Sequence, residues 1–412
     1  MTPKPTKETR SILPIILGGI FATVLLAACL GVYLASSVDA TDHGVTREVT
    51  PPPKVMLPQE AAIASQLVGG KACQECHAGE SALHSRSGHA QTLRRRPVEA
   101  IVSWLNGRSV KDREYPEAVW TYSVNDRGKL EVERNEQGQS TCYSVDYALG
   151  SGVNGVTFVS LGRSVSDPAH LTGLEQRMTY FANGPRMDIS LGQAKQDAAA
   201  QGIKVVPEGR PLDKDDLVTC FNCHSTVTST TGSGQFDPDT MVPNISCERC
   251  HGPGRAHIEA ARRGDAAEEL AMPLGSAVSA PPLRQLQVCG ECHRRIEDMP
   301  PSIALKPENS TIVRFQPVGL GLSFCFQKGK SGLSCTSCHD PHARVSHDHA
   351  AYEAVCLSCH SLVQNKHQPC PVSPSAQCID CHMPRRVVSL EFLFTDHWIR
   401  KPQRDQNQKV AK

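Results

Sequence analysis

The chain is 412 residues long and carries 43 Lys and Arg against 42 Asp and Glu, a formal net charge of +1. That balance excludes a strongly basic nucleic-acid-binding protein. Only 39% of the residues are hydrophobic and 5% aromatic, so side chains alone are too few to fill the interior of a chain this long.

From the N-terminus, Lys4, Lys7 and Arg10 precede an uncharged apolar run from Ile12 to Ala35. At about 1.5 Å per residue this run is long enough to cross a bilayer, with the positive flank cytoplasmic and the rest of the chain outside. Residues 1–35 therefore read as a membrane anchor or signal. Leu26-Ala27-Ala28-Cys29 also has the form of a lipoprotein processing site, and release by cleavage is a third outcome. The apolar run continues past Cys29, which favours an uncleaved transmembrane helix and places the protein at the cytoplasmic membrane with its bulk on the periplasmic side. Residues 36–72 are polar, are interrupted by Pro51, Pro52 and Pro53, and read as a tether.

Residues 73–103 open with Cys73, Cys76 and His77, the first of seven Cys-x-x-Cys-His motifs. The second is Cys220, Cys223 and His224, the third Cys247, Cys250 and His251, and the fourth Cys289, Cys292 and His293. The fifth is Cys335, Cys338 and His339, the sixth Cys356, Cys359 and His360, and the seventh Cys378, Cys381 and His382. This is the attachment pattern of c-type haem: two thiols add to the porphyrin vinyl groups, and the adjacent imidazole binds the iron. Zinc would need ligands in sets of four, and a disulfide scaffold would not explain the histidines. Seven covalently bound haems are expected, numbered here by motif. They supply the missing apolar interior. At about −1 each in the ferric state they take the charge to roughly −6, a second argument against nucleic acid.

No motif lies between His77 and Cys220, and residues 104–217 read as a β-rich insert. Ala118 to Val124 and Lys129 to Arg134 flank an Asp126-Arg127-Gly128 turn, while Arg177 to Ala182 and Arg186 to Ser190 flank Asn183-Gly184. Residues 218–400 hold the other six motifs between many Gly and Pro breaks, as short helices joined by irregular loops. Residues 401–412 are a polar tail without expected order. The fold class expected is mainly α with irregular loops and a haem-packed core, a β-rich insert between haems 1 and 2, and one N-terminal transmembrane helix.

Ten histidines lie outside the motifs, and His43 falls in the tether. The remaining nine suffice for a second axial ligand at each iron. His89, His257, His342 and His397 stand first by local context: Ser87-Gly88-His89 follows the first motif, His257 closes Cys250-His251-Gly-Pro-Gly-Arg-Ala-His, His342 closes Cys338-His339-Asp-Pro-His, and His397 follows Asp396. His170, His347, His349 and His367 come next, and His84 is an alternative to His89. No methionine has a comparable setting. Arginines at 94–96, 262–263, 294–295 and 385–386 suit haem propionates. Of the four cysteines outside the motifs, Cys29 belongs to the apolar run and Cys142 to the insert. An exported location permits a disulfide between the other two, Cys325 and Cys370.

These segments, over Cys220 to His397 and around the first motif, resemble the multihaem cytochrome c superfamily that contains the tetrahaem electron acceptor of nitrifying bacteria and the octahaem hydroxylamine oxidoreductases. The resemblance implies that such histidines ligate neighbouring haems instead of the one beside them in sequence. Seven motifs and the long insert depart from those relatives.

Six haems within about 160 residues must lie close together, so electron transfer between membrane-linked and soluble redox partners is the expected function. An enzyme acting on small nitrogen or sulfur compounds at a haem with an open distal face is the alternative, although no Cys-x-x-Cys-Lys site is present. A quinol dehydrogenase is a third reading, and the expected partners are the membrane, redox proteins and quinol-linked enzymes.

Overall fold

The structure, a computed structural model, describes residues 65–164, 166–231, 233–266, 270, 272, 281–301, 303–328, 332–361, 368–390 and 392–402. Helices α1 (Gly70–Gln74) and α2 (Ala78–His84) surround the first motif and lead to β1 (Leu93–Arg94) and α3 (Glu99–Leu105). Eight strands follow: β2 (Ser109–Lys111), β3 (Ala118–Val124), β4 (Leu130–Glu136), β5 (Gln139–Ser144), β6 (Tyr147–Leu149), β7 (Val156–Arg163), β8 (Leu171–Phe181) and β9 (Arg186–Ile189). After α4 (Lys195–Gln201) and β10 (Gly209–Leu212), helix α5 (Lys214–His224) carries the second motif.

Strands β2-β3-β4-β5 form one antiparallel sheet, and β1-β6-β7-β8-β10 form a second in which β9 also pairs with β8. Alternation sets their faces. Ala118, Trp120 and Tyr122 of β3 and Leu130 and Val132 of β4 are buried at every second position. They meet Ile101 and Leu105 of α3 and Phe158, Met178 and Tyr180 of the larger sheet in one core cluster. Neighbouring residues point the other way: Tyr147 and Val159 leave the back of the larger sheet and pack with Leu217 and Phe221 of α5. The helix that presents the second motif is thus seated on the sheet, and its start is capped by Asp213, which accepts from the amides of Asp215 and Asp216 at 2.9 Å each. Pro185 lies in the β8–β9 turn, where its missing N–H leaves no ladder bond unmade.

Beyond α5 come β11 (Ser225–Val227), β12 (Val242–Pro243), α6 (Cys247–His251), α7 (Arg255–Arg263), α8 (Pro282–His293), α9 (Gln316–Leu322), α10 (Phe324–Lys328), α11 (His349–His360), α12 (Cys378–His382), β13 (Arg385–Ser389) and β14 (Phe392–Thr395). These helices are short, from 5 residues in α6 to 12 in α8.

Two expectations are corrected. Among the described residues 34% are helical and 23% lie in strands, a mixed α and β fold instead of a mainly α one. Both core clusters are built largely on strands, while the haem-bearing helices are too short to dominate. The expected anchor over residues 12–35 lies outside the described residues, and no helix among them is long and apolar enough to cross a membrane. No described helix therefore bears out the expected transmembrane helix or the placement at the cytoplasmic membrane that rests on it. The tether up to residue 64 and the tail from 403 also lie outside the described residues.

Candidate haem sites

The motifs occupy helix ends. α5, α8 and α11 each finish on Cys-x-x-Cys-His, α6 and α12 consist of it, Cys73 lies in α1, and Cys335 opens a 3-10 turn over Cys335–Ser337. Positions i, i+3 and i+4 share one helix face, so both thiols and the imidazole are offered on the same side. In α11 these are Cys356, Cys359 and His360, and in α12 they are Cys378, Cys381 and His382. Cys359 is half-buried, and its Sγ accepts from the Ser358 hydroxyl at 3.9 Å. Cys76, Cys338 and Cys381 are exposed, so the second thiol of the first, fifth and seventh motifs opens to the surface.

Several of the imidazoles are held by their Nδ1 atoms. His224 Nδ1 donates to the carbonyl of Thr92 at 3.0 Å, His382 to that of Arg400 at 2.8 Å, and His293 to Gln316 Oε1 at 3.2 Å. Outside the motifs, His89 Nδ1 donates to the Pro341 carbonyl at 3.2 Å and His397 Nδ1 to that of Thr395 at 3.0 Å, while His257 uses the Leu270 carbonyl and His342 the Asp340 carboxylate. A proton fixed on Nδ1 leaves the Nε2 lone pair free for a metal. Burial holds His224, His293 and His339 below the usual imidazole range and brings His397 to about 4, which keeps the ligating neutral form.

Four of these rings stand opposite motif rings. The centroids of His77 and His257 are 6.2 Å apart, those of His89 and His293 6.4 Å, those of His251 and His342 6.1 Å, and those of His339 and His397 6.2 Å. An iron between two imidazoles, with bonds of about 2.0 Å and about 1.1 Å from each nitrogen to its ring centre, separates the centroids by about 6 Å. In every pair the second ring comes from a segment attached to a different motif.

The remaining histidines are placed differently. His84 lies near His89 and His342, and its pKa is lowered by burial and then by those neighbours. His347 and His349 are exposed, with His349 Nδ1 3.9 Å from Asp380, and His170 sits in the β7–β8 connection. His367 lies outside the described residues.

Thiols of separate motifs also meet. Cys73 lies beside Cys247, Cys223 beside Cys292, Cys289 beside Cys335, and Cys356 beside Cys378. Cys250 is within electrostatic reach of Cys292, and Cys356 of Cys338. Cys325 and Cys370 are both free thiols, so the disulfide between them does not form; Cys370 instead lies against His382.

Two contacts that sequence patterns do not announce set the spacing of these groups. Glu248, between the cysteines of the third motif and 4% exposed, accepts from the amides of Val68 at 3.0 Å, Gly69 at 2.9 Å and Gly254 at 2.9 Å. It ties the approach to haem 1 onto haem 3. A Cβ on Gly319 of α9 would lie 2.7 Å from the Trp398 nitrogen and 2.8 Å from the His397 carbonyl carbon, so only glycine lets the segment carrying His397 come this close. Among the arginines expected at propionates, Arg262 pairs with Glu75 at 3.2 Å, Arg263 with Asp265 at 2.6 Å, Arg295 with Asp298 at 2.9 Å and Arg386 with Asp396 at 3.4 Å.

The thiol faces and the four ring pairs fit haem. No curated protein matches the chain. A solved structure, the outer cell wall cytochrome OcwA, is similar at 16% identity over 81% of this chain and 80% of that one, with a TM-score of 0.47. Residues 188–252, which include the second and third motifs, match the family model for cytochrome c554 and c-prime. Taken with the repeated motifs, that match supports a multihaem c-type cytochrome with covalently held haem iron and a role in electron transfer.

Proposed function

We propose that the protein carries seven haems as one connected electron-transfer chain and exchanges electrons with soluble redox proteins. The observation that carries this reading is the network of thiol contacts between motifs. Each haem is bonded to its own pair of thiols, so thiols in contact bring porphyrin edges together. Neighbouring thiols connect haem 1 to 3, 2 to 4, 4 to 5 and 6 to 7, and these groups are linked at electrostatic range through Cys250 and Cys292 and through Cys338 and Cys356.

The protein's part is to position and insulate. Haem iron supplies the one-electron chemistry, and its axial ligands set the potential. In this reading His257, His342, His89 and His397 close the distal faces of haems 1, 3, 4 and 5, giving four bis-histidine sites that carry electrons without binding substrate. The Nδ1 hydrogen bonds fix ring orientation and raise imidazole basicity.

The test is a pyridine haemochrome count with intact mass, followed by paramagnetic resonance of the oxidised protein. Seven haems per chain and at least four low-spin ferric signals are expected. A lower haem count, or high-spin iron at these four sites, would overturn the reading.

A further inference from the structure

We propose that Arg249 sets the reduction potential where haems 2, 3 and 4 meet, by holding a buried positive charge against the thioether edge of haem 4. The proposal rests on the reading that these three haems occupy neighbouring sites in one chain. In the seven motifs the residue before the second cysteine is acidic in the first, fourth and seventh and Asn or Ser in the second, fifth and sixth. Only the third motif puts a cation there, Arg249.

The fold carries this cation into the space between motifs. Arg249 lies in α6 and is 6% exposed, and its guanidinium reaches two other motifs. Nη1 donates to Oδ1 of Asn222, in α5, at 3.4 Å. Nη2 lies 3.6 Å from Glu291 Oε2 and 4.0 Å from Cys292 Sγ, both in α8. Cys223 Sγ is in turn 3.9 Å from the Glu291 carbonyl oxygen. One side chain thus belongs to the third motif and touches the second and the fourth. A related pair at the first motif shows the contrast: Arg262 and Glu75 are 3.2 Å apart with side-chain exposures of 66% and 63%, where water and salt screen them. The exposures of Arg249 and Glu291 are 5% and 12%.

A guanidinium keeps its proton at any working pH, so the charge is permanent. In a poorly screened interior a fixed cation favours the electron-rich ferrous state of the haem beside it. Cys292 is the thiol the guanidinium reaches, which makes haem 4 the group that feels it most. Glu291 opposes the effect, since its carboxylate offsets part of the field and keeps the cation from being buried unpaired. In the proposed chain haem 4 is the branch at which haems 2, 3 and 5 converge, so its potential decides whether an electron rests there or passes on.

The experiment is redox titration of the full-length holoprotein, followed by visible and paramagnetic resonance spectra, in two single variants of opposite charge effect. Arg249→Gln removes the cation and lowers one midpoint potential, whereas Glu291→Gln removes the counter-charge and raises it. Each shift is on the order of tenfold in the reduction equilibrium, about 59 mV for a one-electron couple. Arg249→Lys keeps the charge, though not the fork, and holds the midpoint close to the native value. A clamp with no electrostatic role would move both Gln variants the same way or neither. Shifts of one sign, no shift in either, or a Lys variant displaced as far as the Gln variant overturns the proposal. Haem count and intact mass show that each variant is loaded. If Arg249→Gln fails to load, Glu291→Gln decides: a raised midpoint supports the proposal, and an unchanged or lowered one overturns it. A native haem count below seven refutes the seven-haem chain, while opposite shifts in a protein whose second, third and fourth motifs carry haem by peptide mass still support the role of Arg249.

Discussion

Replacement of Glu248 by alanine is expected to detach the segment around haem 1 from haem 3 without unfolding the rest. The carboxylate is almost fully buried and accepts three backbone N–H bonds, two from residues 68 and 69 and one from residue 254. A hydrogen bond to a charged acceptor contributes about 1.5–3 kcal/mol. The three share two oxygens and are not additive, and the segment is also held by the Gln66 carbonyl, which accepts from the Arg255 amide at 3.1 Å, and by the Ser65 carbonyl, which accepts from Arg255 Nε at 2.7 Å. A loss of about 3 kcal/mol in the local opening free energy follows, or about a hundredfold in protection. Native-state hydrogen exchange on the oxidised holoprotein reads it directly, because the amides of Val68 and Gly69 are themselves the donors. Glu248→Gln keeps one acceptor oxygen but turns an NH2 group towards an amide donor, and should lose roughly tenfold. Magnetic coupling between haems 1 and 3 should weaken in step with protection. Unchanged exchange at Val68 and Gly69 in Glu248→Ala, with the carboxylate gone, would refute the reasoning.

Three further outcomes follow from the site geometry. His342→Ala should convert one low-spin ferric signal to high spin, and His342→Met should keep it low spin while raising one midpoint potential by on the order of 0.1 V; paramagnetic resonance and redox titration distinguish these. Gly319→Ala should push the Trp398 backbone away and loosen His397, so that haem 5 becomes partly high spin although the substituted residue touches no iron, with unchanged resonance spectra as the contrary result. The chain produced without haem attachment should keep the strand-rich part from β1 to β10 and lose the remainder, because both apolar clusters lie between Leu93 and Met241; proteolysis with mass spectrometry checks which fragment survives.

The Cys-x-x-Cys-His motifs are legible in the sequence because their chemistry is local: two thiols and an imidazole within five positions suit one cofactor whatever the fold. Two hairpins are legible for the same reason, since Asp126-Arg127-Gly128 and Asn183-Gly184 are turn residues between alternating strands. The overall class is harder to read. Strands β1, β6 and β10 are only two to four residues long and are defined by partners far away, Leu93 against Leu149 and Gly209 against Gln176, which no local pattern reveals. The haem-bearing segments have little helical periodicity because their apolar partner is the porphyrin, and by sequence they suggest a mostly helical domain although the strands hold most of the protein core. Histidines 89, 257, 342 and 397 can be singled out, but which ring each faces depends on tertiary structure. Glu248 and Gly319 have no signal, one hidden between two cysteines and the other in an ordinary apolar stretch.

The crossed imidazole pairs have a consequence for assembly. His89 is made early and faces His293 of the fourth motif, while His257 must be made before haem 1 can be closed. Each such iron would act as a rivet between distant stretches of polypeptide, shortening the loops open to the unfolded chain much as a covalent cross-link does. A chain interrupted before residue 257 would leave its first porphyrin with one exposed coordination position, ready to capture whichever spare histidine comes within reach. Haem loading would then run ahead of final ligand exchange, and the slowest step in maturation is expected to be the sorting of axial partners instead of the folding of the strands.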